Sequence, residues 1–345
     1  MTKSPREIRA ARAGVPARRS YWCLEGSRRK PTDYEVTSTA LLYYPARGLE
    51  VETETSRHYD RYQRGGDLSA ENWDSFQDPA GFTYAAYVAE RRDQEAFLDR
   101  LLERPTAPLS RELEPLLGLL SALRFPLHGL QMVAAYVGSL APGGRIAIAA
   151  AFQAADEMRR IQRVCQWLSR SGRAAGELDA LGRELWQQDA ALQPLRQIVE
   201  ELLVTYDWGQ ALLGLNAVLK PVFDRLWFEQ LAGVAERHED EILEKILSSL
   251  ADDGLWHETW FIAFSKVALA GDARNAAAMR GRVAELRPRL AHAVHALLPA
   301  FGGLFGDEGE RAYVFRELDG ALTAHLVKAG LDGHGNGEAR REQPL

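Results

Sequence analysis

The most regular hydrophobic pattern in this chain begins at Pro194 and repeats with the period of an α-helix. Apolar side chains stand at positions 195, 198, 199, 202, 203 and 206, a spacing that places them on one face of a helix. This helix is expected to run to Lys220, where Pro221 predicts a kink or a break. Related patterns predict helices over residues 82–103, 112–140 with an interruption at Pro126, 145–169, 223–251, 255–270, 273–298 and 307–328.

The first quarter of the chain lacks this helical period. Residues 1–80 are rich in Arg, Pro, Gly and Thr, and only residues 37–44 suggest a short extended segment. Asp78-Pro79 has the composition of a helix start. At the other end, the residues from Gly330 onward are Gly-rich and charged, which is typical of disorder. The predicted organisation is an extended basic N-terminal arm and lead-in at 1–80, a helical domain at 81–328 and a disordered tail at 329–345.

The number and length of the predicted helices indicate the fold class. Four long helices with short or medium connections, followed by a helical C-terminal half, are typical of a four-helix bundle with added helices. No repeat of 20–50 residues suggests a solenoid, and no strand is followed by a phosphate-binding glycine loop. We therefore predict an all-α, ferritin-like four-helix bundle with extra helices and an extended N-terminal arm.

Composition favours a cytoplasmic protein. The chain is 46% hydrophobic and 26% charged, as soluble proteins are. No apolar run approaches the ~18 residues of a membrane span, so no membrane partner is predicted. The two cysteines, Cys23 and Cys165, are too few for a disulfide framework and favour free thiols in a reducing compartment. Arg18-Arg19 is followed by charged residues rather than by an apolar region, so export is not expected.

Charge is distributed unevenly along the sequence. Residues 1–30 hold nine Lys/Arg residues against two Glu, although the whole chain has a net charge of -6. Such an arm has three interpretations: a solvated tail, a nucleic-acid-binding arm, or an arm that lies on an acidic protein surface. Nucleic acid is the weakest of these, because the acidic remainder of the chain would repel phosphates. No nucleic-acid partner is therefore predicted.

A ferritin-like bundle raises the question of a di-iron site. Such bundles hold two irons with carboxylates from four helices, and two of the helices each supply Glu-x-x-His, which places both ligands on one face. The residues three positions before the eight histidines are Thr55, Phe125, Ala235, Gly254, Arg289, His292, Leu322 and Leu331. Because none of these is acidic, a di-iron carboxylate site with the usual ligands is not predicted. No metal, cofactor or catalytic residue is assigned to this chain.

Several polar residues nevertheless interrupt the apolar helices. Asp156 and Arg160 have the i, i+4 spacing of an ion pair, Asp207 falls within a predicted helix, and His128 and Gln131 lie on another. They are either a degenerate set of ligands, with Arg160 supplying the positive charge of a lost metal, or ordinary polar residues on a solvated or interhelical face. We expect at least one of the two aspartates to face the interior and to be neutralised by an arginine, because a lone buried carboxylate is costly.

A second kind of chemistry is suggested by Asp252-Asp253. All-α prenyl-chain enzymes bind magnesium and diphosphate through DDxxD motifs. Here the fifth position is Trp256, so an inter-helix turn is the simpler interpretation. The charged residues 236–241 are likewise expected to form a solvated helix face or a loop. A stand-alone all-α enzyme of the prenyl-chain or metal-dependent type is the alternative function.

Five segments together resemble one protein family. They are residues 29–44 (RKPTDYEVTSTALLYY), 72–87 (NWDSFQDPAGFTYAAY), 126–136 (PLHGLQMVAAY), 153–160 (QAADEMRR) and 205–221 (TYDWGQALLGLNAVLKP). In this order they are similar to the beta subunits of the hydroxylase component of toluene/alkene/isoprene-type bacterial multicomponent di-iron monooxygenases. The resemblance covers about residues 21–225; the C-terminal third is similar only in helical character, and residues 1–20 have no counterpart.

The resemblance implies a non-catalytic structural subunit with a ferritin-like fold and no metal of its own. The di-iron centre would be held by a large (alpha) subunit, and a small (gamma) subunit would complete the hydroxylase. An effector protein, a Rieske ferredoxin and a flavin reductase would complete the system. Electrons would come from NADH, and oxygen would be inserted into an aromatic or alkene hydrocarbon. The family also implies that the N-terminal arm reaches over the large subunit. Toluene, alkene and isoprene remain equal alternatives for the substrate.

A subunit at the core of such an assembly is expected to bury a large apolar surface, above ~2,000 Å². The following aromatic residues are the candidate anchors, although some of them must belong to the core: Phe82, Tyr84, Tyr87, Tyr136, Trp208, Trp256 and Trp260. In the arm, residues 1–45, aromatic and leucine side chains alternate with arginines: Tyr21, Trp22, Leu24, Tyr34, Leu41, Leu42, Tyr43 and Tyr44. This mixture suits docking on a protein surface.

Overall fold

The structure, a computed structural model, describes Thr32, Tyr34 and residues 54–104 and 111–332. These residues form helices and their connections, and none of them lies in a β-strand. The all-α prediction is therefore confirmed. Most of the predicted arm and the tail beyond Asp332 lie outside the described residues, as does Cys23.

Ten helices, numbered here in chain order, make up the described part. Their bounds are α1 Glu54–Tyr59, extended by a π-helical turn Asp60–Arg64; α2 Tyr84–Leu102; α3 Glu114–Leu140; α4 Gly144–Ser169; α5 Ala175–Gln188; α6 Gln193–Leu203; α7 over residues 208–237; α8 Glu241–Gly271; α9 Ala273–Leu297; and α10 Glu308–Ala329. Short 3-10 turns cover Trp73–Ser75, Arg111–Leu113 and Leu298–Phe305.

The segment that precedes α2 differs from the prediction in two places. Residues 54–64 are helical, although the sequence suggested an extended lead-in. Asp78-Pro79 forms a turn in which Asp78 accepts the N–H of Ala80 at 3.1 Å. The cap of α2 comes five residues later, where the Thr83 hydroxyl accepts the N–H of Ala86 at 3.2 Å. Both side chains can cap a helix, and only the fold selects Thr83.

Helices α3 and α4 form a tightly packed antiparallel hairpin around Gly143. Helix α3 continues through Pro126 rather than breaking there. By length and composition it is the one helix of the described residues that could span a membrane, contrary to the hydropathy expectation, but 72% of its apolar window is buried inside the fold. This helix is therefore a core element of the bundle. His128 is exposed on its outer face and Gln131 is half-buried.

The predicted helix 194–220 is divided in the structure. Helix α6 begins with Pro194 in its first turn, as predicted, and ends at Leu203. Asp207 then caps α7, and its carboxylate accepts the N–H of Gln210 at 2.9 Å. Helix α7 runs without a break through Pro221, which follows a π-helical stretch at Leu213–Leu219. The hydrogen-bond register changes at that junction, so the missing N–H of proline is accommodated there.

Helix α8 is longer than the sequence suggested. Within the charged segment 236–241, residues 238–240 form the loop between α7 and α8, as one of its two interpretations predicted, and the flanking residues belong to the two helices. The predicted turn at Asp252-Asp253 is wrong, because α8 continues through both residues and Asp253 is buried. At the other end of the domain, α10 ends at Gly330, whose φ of 76° is the left-handed conformation that glycine adopts readily.

Candidate functional site

Four helices bring a set of charged side chains together in the interior of the bundle. We call this set the charged centre, and each of its members is less than 9% exposed. It consists of Arg91 on α2, Asp156, Glu157, Arg159 and Arg160 on α4, Lys220 and Asp224 on α7, and Asp253 and His257 on α8. Four acidic groups thus meet four basic groups and one imidazole.

Asp156 lies at the side of the centre that faces α2. The Arg91 guanidinium binds it in a two-pronged manner, with Nε 2.7 Å from Oδ1 and Nη2 2.9 Å from Oδ2. The Tyr87 hydroxyl donates to Oδ1 at 2.7 Å, and His257 Nε2 lies 3.1 Å from Oδ2. Every lone-pair region of this carboxylate is therefore used, which is what burial of a carboxylate demands.

Glu157 and Asp224 are also buried, and both are shared by the same two cations. Arg160 Nη1 is 3.1 Å from Glu157 Oε2 and 2.8 Å from Asp224 Oδ1. Lys220 Nζ is 2.5 Å from Glu157 Oε1 and 3.0 Å from Asp224 Oδ2. Two carboxylates thus bridge two positively charged groups in the buried interior, where each missing partner would leave an uncompensated charge.

Asp253 is held at the end of the centre nearest the start of α8. Arg159 Nη1 lies 2.6 Å from its Oδ2, and Arg91 Nη2 lies 3.3 Å from its Oδ1. Arg160 adds a hydrogen bond from Nη2 to the Leu250 carbonyl at 3.0 Å. The arginines therefore link α2, α4 and α8 as well as neutralising acids.

The surroundings move the pKa values of these groups in different directions. Burial opposes the ionisation of Asp156, but hydrogen bonds from His257 and Arg91 outweigh it and lower its pKa. Burial also opposes the ionisation of Asp224, yet Arg160 and Lys220 lower its pKa to about 2. For Asp253, burial and the nearby Asp156 raise the pKa to about 7, although Arg159 opposes the rise. At a given pH these acids therefore differ in their degree of ionisation.

His257 is neutral at pH 7. Burial, and next the positive charge of Lys220, lower the pKa of its imidazole to about 4 although Asp156 opposes the change. A neutral ring that faces Asp156 through Nε2 must carry its proton there, because the carboxylate only accepts. Nδ1 is then an acceptor, and it has no hydrogen-bond partner in the described part of the chain.

A second polar layer lies beside the charged centre. The amide groups of Gln153 and Asn216 exchange two hydrogen bonds of 2.9 Å between α4 and α7. Trp260 Nε1 on α8 donates to the same Gln153 oxygen at 3.1 Å. All three residues are buried. This layer is uncharged and fixes the alignment of the three helices without any titratable group.

The donor set of the charged centre does not fit a di-iron site. Within the described residues, no group of three or more His, Cys, Asp or Glu side chains is arranged to hold a metal ion. The reason is visible at Glu157 and Asp224, whose oxygens are taken by Arg160 and Lys220. Di-iron carboxylate proteins instead direct four carboxylates and two imidazoles at the metals.

The structure decides among the sequence candidates. The prediction that an aspartate faces the interior and is neutralised by an arginine is confirmed by Asp156, but its partner is Arg91 and the predicted pairing with Arg160 is wrong. Asp207 is half-buried and caps the start of α7, so the prediction that it lies within a helix is wrong. Its carboxylate also accepts the N–H of Asp67 at 2.9 Å. His128 lies on the exposed face of α3, outside the charged centre.

The sequence analysis did not point to three members of the charged centre: Arg91, Lys220 and Asp224. Lys220 and Asp224 stand at i, i+4 in a run of apolar residues, and this isolated charge pair is the signal that could have revealed them. Arg91 carries no such signal, because α2 is charged at many positions and a helical pattern alone cannot tell which arginine turns inward. His257 has Gly254 three positions before it, so the Glu-x-x-His pattern does not reveal it.

The comparisons with known proteins agree with this architecture. A family model for methane/phenol/alkene hydroxylases matches residues 52–272. The chain belongs to this hydroxylase family. It is 30% identical, over 81% of its own length and 89% of the relative, to the beta subunit of the hydroxylase component of the toluene-4-monooxygenase system of Ectopseudomonas mendocina. It is 25% identical, over 92% of its length and 95% of the relative, to the oxygenase component DmpL of phenol 2-monooxygenase of Pseudomonas sp. (strain CF600). The resemblance to such hydroxylase beta subunits is thus confirmed.

Solved structures of hydroxylases have the same fold. The toluene-bound resting structure of toluene 4-monooxygenase superposes with a TM-score of 0.69 at 28% identity, over 79% of this chain and 94% of that one. A xenon-pressurised phenol hydroxylase from Pseudomonas sp. OX1 superposes with a TM-score of 0.74 over 89% and 93%. At 21% identity the second likeness speaks for the fold alone. The predicted ferritin-like fold class of this hydroxylase-family chain is confirmed.

Proposed function

We propose that this chain is the non-catalytic beta subunit of a multicomponent monooxygenase hydroxylase. In this proposal a large subunit holds the di-iron centre, a small subunit completes the hydroxylase, and the present chain supports the assembly. An effector protein, a Rieske ferredoxin and an NADH-dependent reductase serve the complex in the cytoplasm. The substrate is an aromatic or alkene hydrocarbon, and the names of the two relatives favour toluene or phenol.

One observation carries the non-catalytic role: the oxygens of Glu157 and Asp224 are bonded to Arg160 and Lys220 rather than left free. A di-iron site requires such carboxylates as metal ligands. Two divalent ions could enter only if both cations left, which would break four ion pairs in the interior. In this proposal the two carboxylates therefore serve the stability of the chain rather than metal binding.

The alternative of a stand-alone prenyl-chain enzyme finds no support in the geometry around Asp253. This residue would have to face a pocket and bind magnesium with its free oxygens. Instead it is 1% exposed and lies 2.6 Å from Arg159. A diphosphate-binding DDxxD motif therefore has no access to a substrate here.

Large apolar side chains that are exposed on the described domain are candidates for part of the proposed interface. Of the candidate anchors, Tyr87, Trp208, Trp256 and Trp260 are buried in the chain's own core. Tyr84 is 71% exposed and stays available for a partner. Further large apolar side chains are exposed on several helices: Val88, Phe97, Met132, Met158, Leu255, Tyr313 and Val327. A subunit that buries above ~2,000 Å² in its complex would need such residues.

The role of the arm stays a prediction, because nearly all of residues 1–45 lie outside the described residues. Tyr34 is described, and it contacts the chain's own lead-in: its hydroxyl accepts the N–H of Asp78 at 3.1 Å. Burial raises the pKa of this hydroxyl. We propose that the more basic residues 1–30 contact the large subunit, so their deletion should weaken assembly and lower hydroxylase turnover, and moderate salt should mimic part of the loss.

The test is a reconstitution with separately purified subunits. The full chain is purified alone and with the neighbouring large and small subunits, and iron is measured in each preparation. We expect no stoichiometric iron in the isolated chain, a tendency of that chain to self-associate, and NADH-dependent oxygen insertion only when the large subunit and the electron-transfer components are present. Stoichiometric iron in the isolated chain, or turnover without the large subunit, would overturn the proposal.

A further inference from the structure

Two small cavities lie on the side of α7 that faces α9 and α10. Each has a volume of about 10 Å³, which is enough for about one small molecule. Val222 of α7 and Leu290 and Val294 of α9 belong to the walls of both cavities, so the two are neighbours. Protein interiors are close-packed and hold few voids of this size, and two that share a wall form a distinct feature of this fold.

The first cavity, which we call the inner cavity, is walled entirely by apolar side chains. Leu219, Phe223 and Trp227 contribute to its wall from α7, and Ala293 and Val294 contribute from α9. Each residue of this wall is at most 5% exposed, and no polar atom reaches the surface of the cavity. Because a buried water molecule needs several polar partners, the inner cavity should be free of water.

The second cavity, which we call the outer cavity, lies nearer the surface. Phe315 and Leu318 of α10 contribute to its wall, and Arg287 and Asp319 stand at its edge. Arg287 Nη2 lies 2.8 Å from Asp319 Oδ1, and the two side chains are 36% and 44% exposed. An ion pair that is exposed to this extent contributes little to stability. The pair therefore marks the place where a small molecule can reach the cavities from solvent.

The local structure of α7 and α9 accounts for the incomplete packing. Two stretches of α7, Leu213–Leu219 and Arg225–Gln230, are π-helical, and they contain or flank the α7 residues that line the cavities. Such turns are rare and frequently occur at functional sites. On α9 the walls include Ala291 and Ala293, which follow Pro288 inside the helix. Small side chains fill little space, and a proline removes one backbone hydrogen bond, so both helices help to leave the cavities open.

We propose that the inner and outer cavities are binding sites for small apolar molecules, such as dioxygen or a short hydrocarbon. Such a molecule gives up no hydrogen bond when it leaves water, and it gains dispersion contacts with walls that otherwise face a void. An apolar cavity of about 150 Å³ binds benzene, and each of the present cavities is far smaller, so benzene should be excluded. This binding site is separate from the charged centre, and it does not depend on the proposed function of the chain.

Xenon is the probe for the first experiment, because it is small, apolar and binds in dry cavities. Crystals of the full-length chain, alone or in complex with its hydroxylase partners, are pressurised with xenon. We expect one xenon atom in the inner cavity, in contact with Trp227 and Val294, and one in the outer cavity. The result that overturns the proposal is a crystal without xenon in either cavity, or with an ordered water at Trp227 Nε1, a buried donor that has no partner in the described part of the chain.

Two matched variants assign each xenon atom to its cavity. Ala293 lines only the inner cavity and Ala291 lines only the outer one. Ala293→Val should therefore lose the inner xenon and keep the outer one, whereas Ala291→Val should do the reverse. Each variant is the control for the other, since both add the same two methyl groups to the same helix. If both variants keep both xenon atoms, the atoms are bound elsewhere and the proposal is wrong.

A third variant tests the size limit in solution. Leu290→Ala removes a side chain from the wall that both cavities share, so it should join them and admit benzene. We expect benzene at a hundredfold excess over Kd to raise the Tm of this variant by about 5 °C and to leave the Tm of the natural chain unchanged. A rise of the same size in the natural chain would contradict the size limit. If Leu290→Ala does not fold, the two alanine variants still decide the proposal.

Discussion

Helix α7 has two buried faces with opposite chemistry. One face carries Lys220 and Asp224 into the charged centre. The other packs Leu219, Phe223 and Trp227 against α9 and the turn that follows it, with the rings of Trp227 and Phe301 5.2 Å apart. Both faces are almost fully excluded from water, yet one relies on paired charges and the other on apolar contacts.

The comparison shows that two equally buried faces need not tolerate substitutions equally well. An apolar contact loses the transfer and packing energy of the atoms that are removed. A charged cluster also loses its balance, because each missing partner leaves another charge buried and unpaired. Single changes should therefore cost more on the charged face, and changes that keep the charge balanced should cost much less.

The largest effect is expected for Arg160→Ala. The substitution leaves Glu157 and Asp224 with Lys220 as their remaining charged partner from this set, and it should lower the free energy of unfolding by roughly 3–5 kcal/mol. Urea denaturation of the full chain measures it. Arg92→Ala is the matched control, because Arg92 is 74% exposed and its loss should stay within about 0.5 kcal/mol. An Arg160→Ala variant as stable as that control would show that the cluster contributes no net pairing.

A somewhat smaller loss is expected for Leu219→Ala on the apolar face. Leu219 is 0% exposed, and truncation of a buried leucine typically costs about 3 kcal/mol. Because no charge is involved, the loss should be the same at pH 5 and pH 7. A loss that varies by more than about 1 kcal/mol between these pH values would mean that the two faces of α7 are coupled.

The dependence of stability on pH distinguishes the charged centre from the apolar face of α7 further. The lowered pKa of His257, about 4, means that its contribution is present above pH 6.5 and is lost as the pH falls through 4. The raised pKa of Asp253, about 7, acts in the opposite sense: its contribution is present below pH 3.8 and is lost as the pH rises through 7. Between pH 4 and 6.5 the two slopes should nearly cancel in the natural chain.

Two variants test this cancellation. Asp253→Asn should become less stable as the pH falls from 6.5 to 4, by about 1 kcal/mol per pH unit, because of these two groups only His257 still titrates. His257→Gln should show the reverse slope, because Asp253 alone then takes up a proton on folding. Denaturation midpoints at half-unit pH steps are the measurement, and parallel curves for the two variants would contradict the assignment.

The smallest effect is expected when the charges are removed together. Glu157→Leu, Arg160→Met, Lys220→Met and Asp224→Leu in one chain remove two positive and two negative groups, so no excess charge is left by this change. The quadruple variant should unfold within about 2 kcal/mol of the natural chain. If it is less stable than Arg160→Ala alone, the cluster stabilises the fold by more than the balance of its charges.

Much of the helical architecture could be predicted from the sequence, because local patterns encode it. The apolar stripe after Pro194 and the periodicity of 145–169 each correspond to a helix in the structure. The errors fall where local signals compete: Asp207 caps a helix instead of lying within one, and Pro221 lies within a helix instead of ending it. Whether a residue caps a helix, and whether a helix continues through a proline, depends on the side chains that pack around the backbone. Those side chains come from distant parts of the sequence, so a local pattern does not contain this information.

The sequence by itself determined the class of the molecule: an all-α chain without a Glu-x-x-His pair, and therefore without the usual di-iron ligands. Only the tertiary structure decided which charges are buried and with whom they pair. Asp156 finds Arg91 from another helix, while Arg160 reaches Glu157 and Asp224. The physical reason is that helix periodicity fixes the face on which a side chain stands, whereas a charge partner is set by the packing of helices that are far apart in sequence.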